Sequence, residues 1–153
     1  MKPARKRATT QLDELLCFTV YSTAHAFNRV YQPLLEKLGL TYPQYLVLVA
    51  LWAEDDQSVG ALGEKLHLAS NTLTPLLKRL EQIGHVTRRR AAADERQVRV
   101  ALSPAGTALR AKARDVPRCI LEATGLTPAG LERVAKELTA IRERLLDSAT
   151  PGD

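Results

Sequence analysis

Apolar residues recur at helical spacing from the start of the described pattern: Leu12, Leu16, Val20, Ala24, Phe27, Tyr31, Leu34 and Leu38, up to Gly39. This predicts one long helix, capped by Thr10 with Asp13 in its first turn and bent at Pro33. Its apolar surface spreads onto Leu15, Tyr21 and Val30, too wide for a helix lying on a single neighbour. Thr41-Tyr42-Pro43-Gln44 then has the pattern of a capping box with Pro in the first turn, followed by a largely buried helix over Tyr45–Trp52. Glu54-Asp55-Asp56-Gln57 reads as a solvated acidic loop.

From Ser58 the elements shorten. Ser58–Leu66 predicts a supporting helix, His67-Leu68-Ala69 a tight turn, and Ser70 a hydroxyl cap for a second helix. In that helix Leu73, Leu76, Leu77 and Leu80 face a core. Ser70, Asn71, Thr72, Thr74, Lys78 and Arg79 are left outside. After Gly84, residues 85–90 and 97–102 predict two strands joined by a tip at 91–96. Helix, turn, helix and hairpin in this order are the plan of a winged helix-turn-helix. Beyond it Ser103-Pro104-Ala105-Gly106 opens a helix through Leu109 and Ala113 to about Asp115, interrupted at Val116-Pro117. Cys119, Ile120 and Leu121 follow, up to Gly125. Thr127-Pro128-Ala129-Gly130 opens a last helix with Leu131, Val134, Leu138, Ile141 and Leu145 on one face, and Asp147 to Asp153 reads as a frayed tail.

The expected fold class is mainly α with a small β wing. Residues 1–10 form a basic flexible tail, 11–57 the N-terminal helices, 58–106 the winged helix-turn-helix, 107–147 the C-terminal helices and 148–153 a tail. The winged unit alone cannot cover the apolar stripes of all the flanking helices. They are expected to pack together across a two-fold axis as the dimerisation region of a homodimer.

The 153 residues carry a net charge of +5, unevenly placed. Residues 58–106 hold 8 Lys/Arg against 4 Asp/Glu, and Lys2, Arg5, Lys6 and Arg7 add four more positive charges, while the rest is net acidic. That asymmetry suits the phosphates of double-stranded DNA. Ser70, Asn71, Thr72, Thr74, Lys78 and Arg79 are then the candidates for the major groove, and Arg96 at the hairpin tip for the minor groove. Asp94 would hold the tip's shape by pairing with a nearby cation. Arg88, Arg89 and Arg90 alternate in facing, so only some of them can meet phosphate. A dimer would set two reading helices about 34–36 Å apart, matching a near-palindromic operator.

Other classes find little support. No apolar run approaches the ~20 residues of a membrane helix, and no export-type apolar block follows the basic start, so a cytoplasmic protein is expected. Cys17 and Cys119 are too few and too far apart for a disulfide-scaffolded module, and the plain reading of each is a small buried apolar residue. His25, His67 and His85 are scattered and no Cys-x-x-Cys occurs, so neither a metal site nor a cofactor is expected.

The chain resembles the MarR family of winged-helix regulators over essentially its full length. The resemblance rests on Leu73-Thr74-Pro75-Leu76-Leu77-Lys78-Arg79-Leu80, on Asp94-Glu95-Arg96 and on Ser103-Pro104-Ala105-Gly106. Within that family it is most similar to the organic hydroperoxide regulators, OhrR, through Leu15-Leu16-Cys17-Phe18 and Leu40-Thr41-Tyr42-Pro43-Gln44-Tyr45. The resemblance implies a repressor whose peroxide-reactive thiol is Cys17, contacted by Tyr21, Tyr31 and Tyr42, with no catalytic turnover. It also implies that Cys119 forms a disulfide with Cys17 of the other subunit, as in the two-cysteine branch.

A thiol that attacks peroxide must ionise, and hydroxyl donors favour the anion. Cys17 falls well inside the predicted first helix, where the helix N-terminus would help only weakly. Tyr21 is one helical turn away on the same face. Tyr31 is fourteen residues on, roughly 21 Å along a helix, so it would have to come from an antiparallel partner helix. Both tyrosines also fit an ordinary core position. Three rivals stand beside the hydroperoxide sensor: a repressor released by a reversible apolar or phenolic ligand, a thiol peroxidase, and a general DNA-coating protein.

Overall fold

A computed structural model describes residues 11–149. The basic tail, the Thr10 cap and residues 150–153 lie outside the described residues. The contacts divide the chain into two compact units that meet in sequence at Arg114 and Asp115.

The first unit opens with a short 3-10 helix, Gln11–Glu14, and then α1, Leu16–Glu36. The single long helix is thus broken at Leu15, whose backbone is extended (φ −86, ψ 116). Pro33 lies inside α1, which continues to Glu36. The helix ends on Gly39 at φ +68, with Leu40 N–H reaching back to Leu35 O at 3.0 Å and Gly39 N–H to Glu36 O at 3.0 Å. This double closure needs a left-handed residue, and it brings the chain back so that Leu35 and Leu40 are both buried. α2, Tyr42–Ala53, begins with the expected capping box: Thr41 N donates to Gln44 Oε1 at 2.9 Å while Thr41 Oγ1 accepts from Gln44 N. Its Tyr45, Val47, Leu48 and Leu51 are buried and form the middle of the core.

β1, Gln57–Ser58, leads into α3, Val59–Leu66, which Ser58 caps by accepting Ala61 N–H at 3.1 Å. α4 runs Ser70–Gln82, with Leu73, Leu77 and Leu80 fully buried and Leu76 half-buried. Each buried leucine contributes about 1.5–3 kcal/mol relative to an exposed one. β2, Val86–Arg90, and β3, Val98–Leu102, form the wing, with Arg89 opposite Arg99. The sheet order is β1-β3-β2, all antiparallel. α5, Pro104–Ala113, is capped by Ser103, whose Oγ accepts Gly106 N–H at 3.0 Å. Trp52 Nε1 donates to Gly106 O at 2.9 Å, which ties the start of α5 to α2 within the first unit.

The acidic loop departs most from expectation. Gln57 is buried and paired in the sheet, and its side-chain amide donates to Ala50 O at 3.0 Å and to Glu54 O, closing the end of α2. Asp55 Oδ1 accepts Leu102 N–H at 2.8 Å. Glu54 pairs with Lys65, and Asp56 with two wing arginines. A two-residue strand carries no periodicity, which is why this segment read as a solvated loop.

The second unit holds α6, Val116–Thr124, ended by Gly125 at φ +68, and α7, Pro128–Ala149. Thr127 Oγ1 accepts Gly130 N–H at 3.1 Å at the start of α7. The helix continues through Asp147 and Ser148, where the sequence suggested a frayed tail. Val134, Leu138, Ile141 and Leu145 of α7 are exposed in the single chain. Among the described residues, no helix is long and apolar enough to cross a membrane.

Candidate nucleic-acid interface and thiol site

α4 is set by the turn before it. His67 takes the left-handed conformation (φ +53) and its successor closes the turn, Leu68 N–H donating to Gly63 O at 2.9 Å. A Cβ on Gly63 would stand 2.8 Å from Leu68 O, so this helix-turn-helix needs glycine there. The sequence reading assigned Gly63 no role; a glycine inside a helical pattern was the available signal. Ser70 is not the cap. The extended Ala69 precedes α4, Ser70 is its first helical residue, and no side chain caps the helix. The first turn therefore presents Ser70, Asn71 and Thr72, all exposed, together with backbone N–H groups that no side chain occupies. Thr74 is half-buried, while Lys78 and Arg79 are exposed. Serine, asparagine and threonine on one helix end with two cations along its flank suit base edges and phosphates.

In the wing, carboxylates take up much of the positive charge. Arg88 donates to Glu81 through both its backbone N (2.9 Å) and its guanidinium, which lies 2.8 Å from the carboxylate. This double contact holds the Glu81 carboxyl below its usual range. Arg89 and Arg99 both pair with Asp56, at 2.7 and 3.0 Å. At the tip, Asp94 Oδ1 accepts Arg96 N–H at 3.1 Å, and Gln97 N–H donates to Asp94 O at 3.0 Å, closing the turn. The Arg96 side chain is 96% exposed and its Nε lies 3.8 Å from Asp94, a loose contact that leaves the guanidinium available. Arg90 Nη1 donates to Glu95 O at 3.3 Å. Among the described residues, Lys78, Arg79 and Arg90 make no ion pair, so the unpaired positive charge of this region lies on α4 and at the tip end of β2 rather than on Arg88 and Arg89.

The thiol region separates into two clusters. Cys17 is a free, exposed thiol in the first turn of α1. The break at Leu15 places it there, against the expectation of a site deep within a helix. Tyr21, one turn on, is 62% exposed and lies edge-on to His25, with ring centroids 4.4 Å apart. Phe18 is 6.5 Å from Tyr21. Tyr31 and Tyr42 come together elsewhere, 4.5 Å apart, with Tyr45 5.9 Å from Tyr31. Burial, with smaller contributions from Tyr42 and Tyr45, pushes the Tyr31 phenol up to about 12. Tyr42 is also raised by burial. Both phenols are thus protonated donors across the physiological range. Sequence reasoning did not find Tyr45, whose signal was its place in the buried run of α2. Cys119 is a free, half-buried thiol on α6, within the second unit. Among the described residues, no group of three or more His, Cys, Asp or Glu side chains comes together as a metal site.

Comparison with known proteins places this arrangement. The family described as transcriptional regulator SarA/Rot matches residues 29–112. The chain is 48% identical over 134 residues to the HTH-type transcriptional regulator TtmR of Methylorubrum extorquens, covering 88% of this chain and 69% of that protein. It is 42% identical over 135 residues to the organic hydroperoxide resistance transcriptional regulator of Bacillus subtilis, covering 88% and 92%. Among solved structures, reduced AbfR bound to DNA aligns with a TM-score of 0.74 at 37% identity, over 89% of this chain and 96% of that one. AbfR, of Staphylococcus epidermidis, has also been solved overoxidised on DNA and with its disulfide formed.

Proposed function

Because the chain belongs to the SarA/Rot family of MarR-like winged-helix transcriptional regulators, a family of DNA-binding proteins and not of enzymes, we propose that it is a repressor released from its operator by oxidation of Cys17. The observation that carries this reading is the Cys17 thiol, free and exposed in the first turn of α1, one helical turn from the Tyr21 phenol. The first turn of a helix stabilises an anion, and the phenol is a hydrogen-bond donor. The signal is an organic hydroperoxide. The thiolate attacks the outer peroxide oxygen, the O–O bond breaks, and the alkoxide leaves and takes up a proton as the alcohol. Cys17 becomes a sulfenic acid. The Cys119 thiol of a second subunit then attacks that sulfur, water leaves, and an inter-subunit disulfide forms, which thiols reverse.

The protein acts as a homodimer in the cytoplasm, on a near-palindromic operator. Exposed Leu12, Leu15, Leu16 and Val20 on and beside α1, and Val134, Leu138, Ile141 and Leu145 on α7, are the surfaces a second copy would cover. In that dimer the Tyr31–Tyr42 cluster of one subunit supplies the remaining donors to Cys17 of the other. DNA is read by Ser70, Asn71, Thr72, Thr74, Lys78 and Arg79 in the major groove and by Arg96 in the minor groove, with Asp94 holding the wing tip.

The test is a titration of the protein–DNA complex with cumene hydroperoxide, followed by dithiothreitol. Wild type dissociates and then rebinds, while Cys17→Ser binds DNA and ignores the peroxide. Peroxide release of the Cys17→Ser complex would refute the scheme.

A further inference from the structure

Asp56 stands between α2 and the sheet, in a conformation that few non-glycine residues adopt (φ +53). Its two carboxylate oxygens are divided between the wing strands: Oδ2 accepts from Arg89 Nη2 of β2 at 2.7 Å and Oδ1 from Arg99 Nε of β3 at 3.0 Å. Arg99 also donates to the Asp56 backbone carbonyl. Arg89 and Arg99 sit directly opposite one another in the ladder. Like charges directly opposite repel, so this pair calls for an anion between the two side chains. One carboxylate set across a pair of arginines satisfies the same donors that a phosphate could satisfy. The neighbouring Asp55 Oδ1 accepts both Asp56 N–H at 2.7 Å and Leu102 N–H at 2.8 Å, which holds the loop on the sheet.

We infer that Asp56 is a positioning residue for DNA binding, an internal stand-in for phosphate that clasps the wing to the end of α2 and withholds Arg89 and Arg99 from DNA. This rests on the chain's DNA-binding role but not on any redox step. Phosphate contacts along the wing then fall to Arg90 and Arg96, nearer the tip. The clasp lowers the number of phosphates that the protein neutralises, and with it the sequence-independent part of its affinity.

The consequence is legible in salt dependence, since log K falls with log salt by about 0.9 per phosphate neutralised on duplex DNA. The probe is a fluorescein-labelled mixed-sequence duplex of roughly 30 base pairs, about three helical turns, titrated by anisotropy at several chloride concentrations. Asp56→Asn keeps a side chain that tolerates positive φ and removes the charge. It should bind this duplex more tightly, with a slope steeper by about 1–2 per protomer as the freed arginines reach phosphate. Arg89→Gln and Arg99→Gln in the wild-type background should leave the slope unchanged, because neither arginine counts there. Combined with Asp56→Asn, each should take back part of the steepening. An unchanged slope in Asp56→Asn, or a shallower slope in Arg89→Gln alone, would overturn the clasp. Wild-type protein with no salt-dependent binding would instead sink the DNA-binding role itself. Circular dichroism at each salt concentration separates these outcomes from unfolding.

Discussion

Replacing Gly106 by Ala tests whether the start of α5 is locked against the wing as tightly as its contacts imply. A Cβ at this position would lie 2.0 Å from His85 O and 3.0 Å from His85 C, where about 3.3–3.6 Å is an ordinary carbon–oxygen approach. The obstacle is backbone, and it cannot retreat. His85 N–H is bonded to Leu80 O at 3.0 Å, and His85 O accepts Ser103 N–H at 3.0 Å. The helix must therefore move, which strains the Trp52 Nε1 bond to Gly106 O and the Ser103 cap on Gly106 N–H. Overpacking costs about 1–3 kcal/mol, and the cap and the buried hydrogen bond about 1 kcal/mol each. Alanine's better helix propensity offsets about 1 kcal/mol. A net loss of about 2–4 kcal/mol follows, on the order of 10 °C in Tm for a unit of this size. The assay is urea unfolding at fixed protein concentration, followed by the fluorescence of Trp52, the chain's one tryptophan. Ala108→Gly, an exposed change within the same helix, serves as the control and should cost only about 1 kcal/mol. If Gly106→Ala unfolds at the same or a higher urea concentration than wild type, the close approach does not constrain the fold and the reasoning fails.

The other predictions concern the thiol, the wing and the tyrosine cluster. Cys119→Ser should still be oxidised at Cys17 but yield no covalent dimer on a non-reducing gel; a dimer band in that variant would exclude Cys119 as the partner sulfur. Arg96→Ala should reduce the slope of log K against log salt by about 1, and an unchanged slope would remove Arg96 from the interface. The Tyr31 phenol is raised to about 12 in the folded chain, above its ordinary value of 10.0, so the unfolded chain loses that proton first. Its stabilising contribution is complete below pH 10 and is lost as pH rises towards 12. Tyr31→Phe should flatten that decline in urea midpoints, and a decline of equal steepness in the variant would assign it to other groups.

What was legible in the sequence follows from how far each signal reaches along the chain. α1, α4 and α7 repeat their apolar positions over several turns and α2 is one continuous apolar run, so the existence of all four could be read directly, and on α4 the buried face as well. The capping box of Thr41 with Gln44, the Ser103 cap and the turn at Gly39 were legible as well, because each acts within a few residues. Leu15 was missed because helical spacing continues across it, and spacing records faces rather than the extended backbone of one residue. Ser70 misled for a related reason: a hydroxyl residue beside a turn suits both the cap and the first helical position, and the turn ended one residue earlier. The partners of Arg88, Arg89 and Arg99 lie on Glu81 and Asp56, and Asp56 is 33 residues from Arg89. No local pattern reports contacts of that range. Counting charges therefore located the basic region but overstated how much of it is free.

That overstatement bears on how the regulator would find its site. A wing with every arginine free would bind any duplex strongly, and such affinity lowers the ratio of specific to non-specific binding that an operator needs among many competing sites. In this chain Glu81 and Asp56 hold Arg88, Arg89 and Arg99 on the sheet. Among the described residues of α4 and the wing, Lys78, Arg79 and Arg90 make no ion pair, and they lie along α4 and near the wing tip, beside the polar groups suited to base edges. Exposed ion pairs are individually weak, about 0–1 kcal/mol each, so the clasp contributes little to overall stability. If Asp56 acts as proposed, its weight falls on recognition instead, because it decides which arginines of the wing are left to neutralise phosphate.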